Sequence, residues 1–216
     1  MLKTRIAVFV SGGGTNLQAL INSQNSGMLS SGEIVLVVSN NKNAYALTRA
    51  AENNIPSVVV TKKECGSMEA FEAKLLEILE ENKIELIVLA GFMSILSGNF
   101  TSKYKKRIIN VHPSLIPSFC GKGYYGLKVH EEALKYGVKL TGATVHFVNE
   151  IPDGGEIIFQ KSVGVRPDDT PEILQERVMR QAEWILLPRA VQAVANEIAR
   201  LGDEYEEKNS YFWEKI

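Results

Sequence analysis

The sequence predicts a Rossmann-like, doubly wound α/β fold in a single domain, parallel in its N-terminal half and mixed in its C-terminal half. Three observations predict it. Short runs rich in Val, Ile and Leu alternate with stretches whose apolar residues recur at helical spacing. Those runs are apolar throughout rather than every second residue, as parallel strands covered on both faces are. The first of them ends on Ser11-Gly12-Gly13-Gly14, a turn suited to carrying a strand into a helix.

Residues 6–10 read as the first strand, and residues 16–23 as the helix after the glycine turn. Residues 34–38 form the second strand, ended by Ser39-Asn40-Asn41, with a helix over 44–52. A short third strand covers 56–60. Over 68–81, Phe71, Leu75, Leu76 and Leu79 fall on one helical face. The fourth strand, 84–90, is interrupted only by Glu85. The second half opens with a strand at 107–111, a Pro/Gly-rich loop at 113–126 and a helix at 127–136. Runs at 144–148 and 157–165 lie close enough to pair as a hairpin. Thr170 caps and Pro171 opens a long helix to about residue 200, with a bend expected at Pro188 and a stop at Gly202. The tail carries Tyr205, Tyr211, Phe212 and Trp213, some of which are expected to pack back on the body.

With 216 residues, one domain with a real core is expected. A net charge of -1 with no one-sign block argues against a nucleic-acid binder that works by bulk electrostatics and leaves a local patch open. No run approaches the roughly 20 apolar residues of a membrane span, and residues 6–10 are too few for a signal-peptide core. The expected location is cytoplasmic, with an organelle as the alternative. Cys65 and Cys120 belong to no CxxC pair and no His/Cys cluster has zinc spacing. Free thiols in a reducing compartment are expected, with no metal.

Two segments carry chemistry. In Gly12-Gly13-Gly14-Thr15-Asn16, glycine lets backbone N–H groups approach an anion at a helix N-terminus. An ordinary βα turn explains the same residues. A dinucleotide fingerprint needs glycine where Leu17 stands, and a Walker A loop needs Lys-Ser/Thr where Thr15-Asn16 stand. NAD and ATP are therefore disfavoured, and a phosphate on a smaller ligand remains.

The second segment is Asn110-Val111-His112-Pro113-Ser114-Leu115-Ile116-Pro117. In extended backbone Asn110 and His112 point to the same face, and Pro113 holds His112 extended. An amide and an imidazole can stabilise an oxyanion and move a proton. A loop histidine bonded to its own turn is the competing reading. His130 reads as a surface or packing residue, and His146 as a satisfied structural histidine facing away from Val145 and Phe147. Asp153, the first of four aspartates, lies in Pro152-Asp153-Gly154-Gly155, which is turn chemistry in its own right. Spacing alone does not bring it to His112.

The run from Asn110 to Pro117 resembles the 10-formyltetrahydrofolate-dependent formyltransferase family. So do Leu89-Ala90-Gly91-Phe92-Met93, the run from Thr141 to Val148, and Asp153-Gly154-Gly155, in that order along nearly the whole chain. The resemblance implies that the amine of glycinamide ribonucleotide attacks the formyl carbon of 10-formyltetrahydrofolate, the co-substrate. It implies catalytic roles for Asn110 and His112 at the oxyanion and for Asp153 in orienting the imidazole. It places the ribonucleotide phosphate at Gly14, Thr15 and Asn16 and its ribose hydroxyls at Glu183. It places the folate against Phe92, Met93, Ile95, Leu96, Val148 and Asp153. Residues 1–105 then form the phosphate-binding half, 106–200 the catalytic and folate half, and 201–216 a tail. Monomer and homodimer both stay open.

Ser94 stands where relatives often carry a basic residue, and Met68 where some carry Arg. Tyr124-Tyr125 lengthen the 121–128 loop, and the spacing from Arg177-Val178 to Glu183 is one residue longer than in some relatives. Two other family branches are expected to need an added domain: a C-terminal tRNA-binding domain, or the N-terminal regulatory domain of a formyltetrahydrofolate hydrolase. A non-catalytic module that binds a phosphorylated metabolite would explain the glycine turn, but gives Asn110, His112 and Asp153 no joint task.

Overall fold

Strand β1 (Thr4–Val10) lies in the interior of the sheet, with both of its faces buried. Ile6, Val8 and Val10 enter one apolar core, and Ala7 and Phe9 enter a second on the other side of the sheet. That is why the run is continuously apolar. The computed structural model describes residues 3–208, so Tyr211, Phe212 and Trp213 lie outside the described residues.

Seven strands form one sheet in the order β3-β2-β1-β4-β5-β6-β7. β2 (Gly32–Ser39), β3 (Ser57–Val59), β4 (Leu86–Leu89) and β5 (Ile108–His112) run parallel with β1. β6 (Leu140–Phe147) and β7 (Ile157–Gly164) are antiparallel additions at one edge. The sheet is thus parallel first and mixed later, as expected. One face is covered by α1 (Thr15–Asn25), α2 (Tyr45–Glu52), α7 (Pro171–Val178) and α8 (Trp184–Leu201). The other is covered by α4 (Met68–Glu81) through Phe71, Leu75, Ile78 and Leu79. The helix at Leu127–Tyr136 follows the long loop and buries Val129, His130 and Ala133.

Two short helices were not legible from periodicity. They are α3 (Lys62–Cys65), capped by Thr61, and α5 (Gly98–Lys103), capped by Ser97. Numbered in chain order, the helix at Leu127–Tyr136 is α6. β6 begins at Leu140 rather than 144, because Gly142 lets its partner strand come close. A Cβ there would stand 2.0 Å from the Lys161 carbonyl oxygen.

The long C-terminal helix is interrupted before it reaches Pro188. Residues Met179–Glu183 form a π-helical segment between α7 and α8. Pro188 sits inside α8. It lacks an N–H for the carbonyl of Trp184 and crowds it. Trp184 is the first residue after the π segment, so the irregularity is taken up there. A 3-10 turn (Gly202–Glu204) and α9 (Tyr205–Lys208) end the described chain. Tyr205 does pack back: it is fully buried and its hydroxyl donates to the Lys106 carbonyl at 3.0 Å.

Candidate active site

The strand order reverses between β1 and β4, which opens a crevice at their carboxyl ends. The loops that line it are tied together. Ser11 Oγ accepts the Met93 N–H at 2.8 Å, and Asn41 Nδ2 donates to the Ser11 carbonyl at 3.1 Å. Asn40 Nδ2 donates to Ser94 Oγ at 2.8 Å, a further tie between the loops. Behind the same loop, the buried Glu72 on α4 accepts the Ser97 N–H at 2.6 Å and its hydroxyl at 2.5 Å.

Asn110 and His112 end β5 on one face, as their spacing requires. The antiparallel register sets His146 directly opposite Asn110, and Thr144 opposite His112. The turn after β6 then folds Asp153 back over this face. Gly155 permits it, since a Cβ there would lie 1.8 Å from the Phe147 carbonyl oxygen. Asp153 itself adopts φ 56, in the left-handed region. Its Oδ2 accepts the Gly121 N–H at 2.8 Å.

Four side chains converge. Asp153 Oδ2 lies 3.5 Å from His112 Nδ1, and Oδ1 lies 3.5 Å from His146 Nε2. Asn110 Nδ2 is 3.2 Å from His146 Nε2 and 3.5 Å from Asp153 Oδ1. The carbonyl contacts decide the tautomers. His146 Nδ1 donates to the Phe147 carbonyl at 2.7 Å, leaving Nε2 to accept from Asn110. His112 Nε2 donates to the Phe119 carbonyl at 2.8 Å, leaving Nδ1 beside Asp153. Separations of 3.5 Å leave room for a further partner at Nδ1.

The electrostatics suit proton transfer. Burial lowers the His112 pKa, Asp153 and the Phe119 carbonyl oppose that, and His146 adds to it; the net is a lowered value and a neutral ring near pH 7. Burial alone would raise the Asp153 carboxyl, but the facing His146 and His112 rings and the Gly121 N–H outweigh it, so its pKa is lowered. Asp153 therefore stays ionised.

The glycine turn has the features of an anion cradle. Gly14 is at φ 71, and a Cβ on it would lie 2.7 Å from Ala46 Cβ, so this position requires glycine. Gly12 and Gly13 face open space. Helix α1 has no side-chain cap and no acidic residue in its first turn, so its leading N–H groups stay available. Asn16 Nδ2 donates to Glu183 Oε2 at 2.8 Å, joining residues 167 apart in sequence. Burial pushes the Glu183 carboxyl up to about 7, partly opposed by Asn16. Asn16 Oδ1 is buried without a partner. Thr15 Oγ1 lies against Met179 Sδ at 3.8 Å and lines a cleft of about 470 Å³ with Arg49 and Trp184.

Of the residues expected to face a folate, Met93 and Ile95 are exposed, at 55% and 61%, while Phe92 and Val148 are half-buried. Leu96 is 5% exposed and packs in the core beneath them, next to the segment tied by Glu72 and Ser97. His146 fits its reading as a satisfied structural histidine. Both its nitrogens are satisfied, yet it belongs to the cluster; its place opposite Asn110 was hidden until the register was known. His130 is fully buried with neither ring nitrogen bonded, so it is a packing residue, and burial followed by the nearby His112 depresses its pKa to about 4. Backbone contributors, the Phe119 carbonyl and Gly121 N–H, left no sequence signal. Cys65 and Cys120 are free thiols.

The sequence profile of the formyl transferase family matches residues 4–191. The chain belongs to this family. Among formyl transferase relatives, the chicken (Gallus gallus) trifunctional purine biosynthetic protein adenosine-3 is 47% identical over 201 residues, which cover 93% of this chain but 19% of that protein. The chain therefore spans a small part of the relatives of that kind. The phosphoribosylglycinamide formyltransferase of Haemophilus influenzae is 37% identical over 199 residues, covering 92% of this chain and 91% of that one. The crystal structure of glycinamide ribonucleotide transformylase 1 from Symbiobacterium toebii superposes with a TM-score of 0.84 at 36% identity, covering 90% of this chain and 88% of that one.

Proposed function

We propose that this protein transfers the formyl group of 10-formyltetrahydrofolate to the amine of glycinamide ribonucleotide, a step of purine biosynthesis. The observation that carries the reading is the convergence of Asn110, His112 and Asp153 across more than forty residues of sequence, at the mouth of a parallel sheet. The relatives that cover most of this chain's length support the same acceptor.

The chemistry follows from the geometry. The amine nitrogen adds to the formyl carbon, and the carbonyl oxygen becomes an oxyanion that the Asn110 amide stabilises. The neutral His112 Nδ1 takes the proton shed by the amine, and the ionised Asp153 stabilises the imidazolium formed. Collapse of the intermediate breaks the bond between the formyl carbon and the folate nitrogen. That nitrogen leaves with the proton returned from Nδ1, giving tetrahydrofolate and the formylated acceptor. His146 holds Asn110 in register from the facing strand.

The phosphate of the ribonucleotide binds Gly14, Thr15 and Asn16 at the start of α1, and Glu183 takes a ribose hydroxyl. The folate ring covers the exposed Met93 and Ile95 beside Phe92, Val148 and Asp153, a largely apolar wall with a few polar anchors. The two ligands thus divide between residues 1–105 and 106–200, with Glu183 crossing to the phosphate side. Among the described residues no helix is long and apolar enough to cross a membrane. Small-molecule substrates, a cytoplasmic location and no nucleic-acid partner complete the reading.

An absorbance assay with 10-formyltetrahydrofolate and glycinamide ribonucleotide tests it. Deformylated folate is expected only when the ribonucleotide is present. Deformylation without it would replace transfer by hydrolysis, and no reaction from folded protein would sink the reading.

A further inference from the structure

His112 can carry a proton at Nδ1 only while Nε2 keeps its hydrogen, and one bond decides that: Nε2–H to the Phe119 carbonyl at 2.8 Å. Phe119 is not an easy place to hold a carbonyl. Its φ is 50, in the left-handed region that non-glycine residues avoid. Something must fix it there, and its ring shows what does. The Tyr136 ring meets it edge-on at 6.0 Å between centroids, and the Tyr124 ring at 6.4 Å, tilted by 60°. Tyr124 lies in the same loop, whereas Tyr136 comes from the last turn of α6, a regular helix outside it. Tyr136 is 80% exposed, which burial alone does not explain.

We propose that Phe119 is a positioning residue for the transfer, clasped by Tyr124 and Tyr136 so that its carbonyl locks His112 in the Nε2–H form and presents Nδ1 to Asp153. This rests on the reading of His112 as the proton carrier. The clasp acts through the backbone: no ring of the three need touch substrate. The polar groups that face His112 are Asp153, His146 and the Phe119 carbonyl, with the buried His130 behind it. Of these only the carbonyl selects the tautomer at Nε2.

The test compares Tyr136→Ala with Tyr136→Phe, which keeps the ring and loses only the hydroxyl. The imidazole nitrogens are read by 15N NMR. The chain has three histidines, and His130→Gln and His146→Gln assign the signals. The parent and Tyr136→Phe are expected to show His112 protonated at Nε2. Tyr136→Ala is expected to shift it toward a mixture of tautomers, with kcat reduced about tenfold. KM for both substrates should stay within about twofold, and the pH profile of kcat should change shape. Tyr124→Leu repeats the comparison from inside the loop, and melting temperatures establish that each variant is folded. A Tyr136→Ala protein that keeps the pure Nε2–H form overturns the proposal, as does equal loss of kcat in the Ala and Phe variants. A faster Tyr136→Ala enzyme overturns it too, since the carbonyl would then be blocking His112 rather than positioning it. If the parent transfers no formyl group, the functional reading fails, and the NMR comparison still decides the clasp.

Discussion

Replacing Asp153 by Asn removes one charge and almost no volume. Oδ2 lies 3.5 Å from His112 Nδ1, and burial has already lowered the His112 pKa. At that separation an effective dielectric of about 20 gives an attraction of roughly 5 kcal/mol between the carboxylate and an imidazolium. Partial exposure of the Asp153 side chain, 13%, reduces this, and about 3–5 kcal/mol is a fair range. The imidazolium exists in the transition state and not in the resting site, so the loss falls on kcat. The expected reduction is about 10²–10⁴-fold, with KM for either substrate little changed. The Asn side-chain oxygen can still accept the Gly121 N–H, so the turn should hold. Steady-state rates at pH 7.5, with circular dichroism as the control for folding, measure it. A folded Asp153→Asn enzyme within about tenfold of the parent would refute both the charge argument and the proton route through Nδ1.

Three further outcomes are expected. Asn16→Ala should raise KM for the ribonucleotide and cost about 1–3 kcal/mol of stability, because Glu183 loses its hydrogen-bond partner; urea titration and the KM comparison check both. Glu183 titrates at about 7 in the folded state against 4.5 ordinarily, so the stability it contributes is full below pH 4.5 and is lost as pH rises through 7. Across that window the parent should lose about 3 kcal/mol relative to Glu183→Gln, and unfolding free energies at pH 4.5 and 7.5 that stay parallel would count against it. Gly155→Ala should fold poorly or lose activity by displacing Asp153, since its Cβ would stand 1.8 Å from the Phe147 oxygen; melting temperature and kcat report the two effects.

What could be read in the sequence follows how locally each feature is determined. Strands such as Ile6 to Val10 announce themselves because both faces are buried. The glycine turn was legible as a turn because Gly14 needs a positive φ and a close neighbour in Ala46. Asn110 and His112 were legible as a pair because strand geometry alone puts them on one face. Asp153 was not, since a turn aspartate looks the same whether or not a hairpin folds it onto a histidine. The register that pairs Asn110 with His146 is likewise a property of two strands together. Helices α3 and α5 are a turn or so long, too short for any period to show, and they depend on the caps Thr61 and Ser97. Leu96 looks like its neighbours in the sequence, and only the packing of the core tells it from the exposed Met93 and Ile95.

The π segment at Met179–Glu183 is a place where an added residue can be taken up between Arg177-Val178 and Glu183. An α-helix that gains a residue must rotate everything downstream by about 100°. A single wide turn, bonded i to i+5, stores the surplus instead. Glu183 keeps its aim at Asn16, and α8 keeps its apolar stripe on the sheet. The turn behaves like a slack loop in a belt: length can be added there without moving either pulley. Removing Arg180 or Gln181 should therefore tighten it back to an ordinary helix and spare the carboxylate's position, whereas the same deletion a few residues later would turn the whole C-terminal helix off its seat.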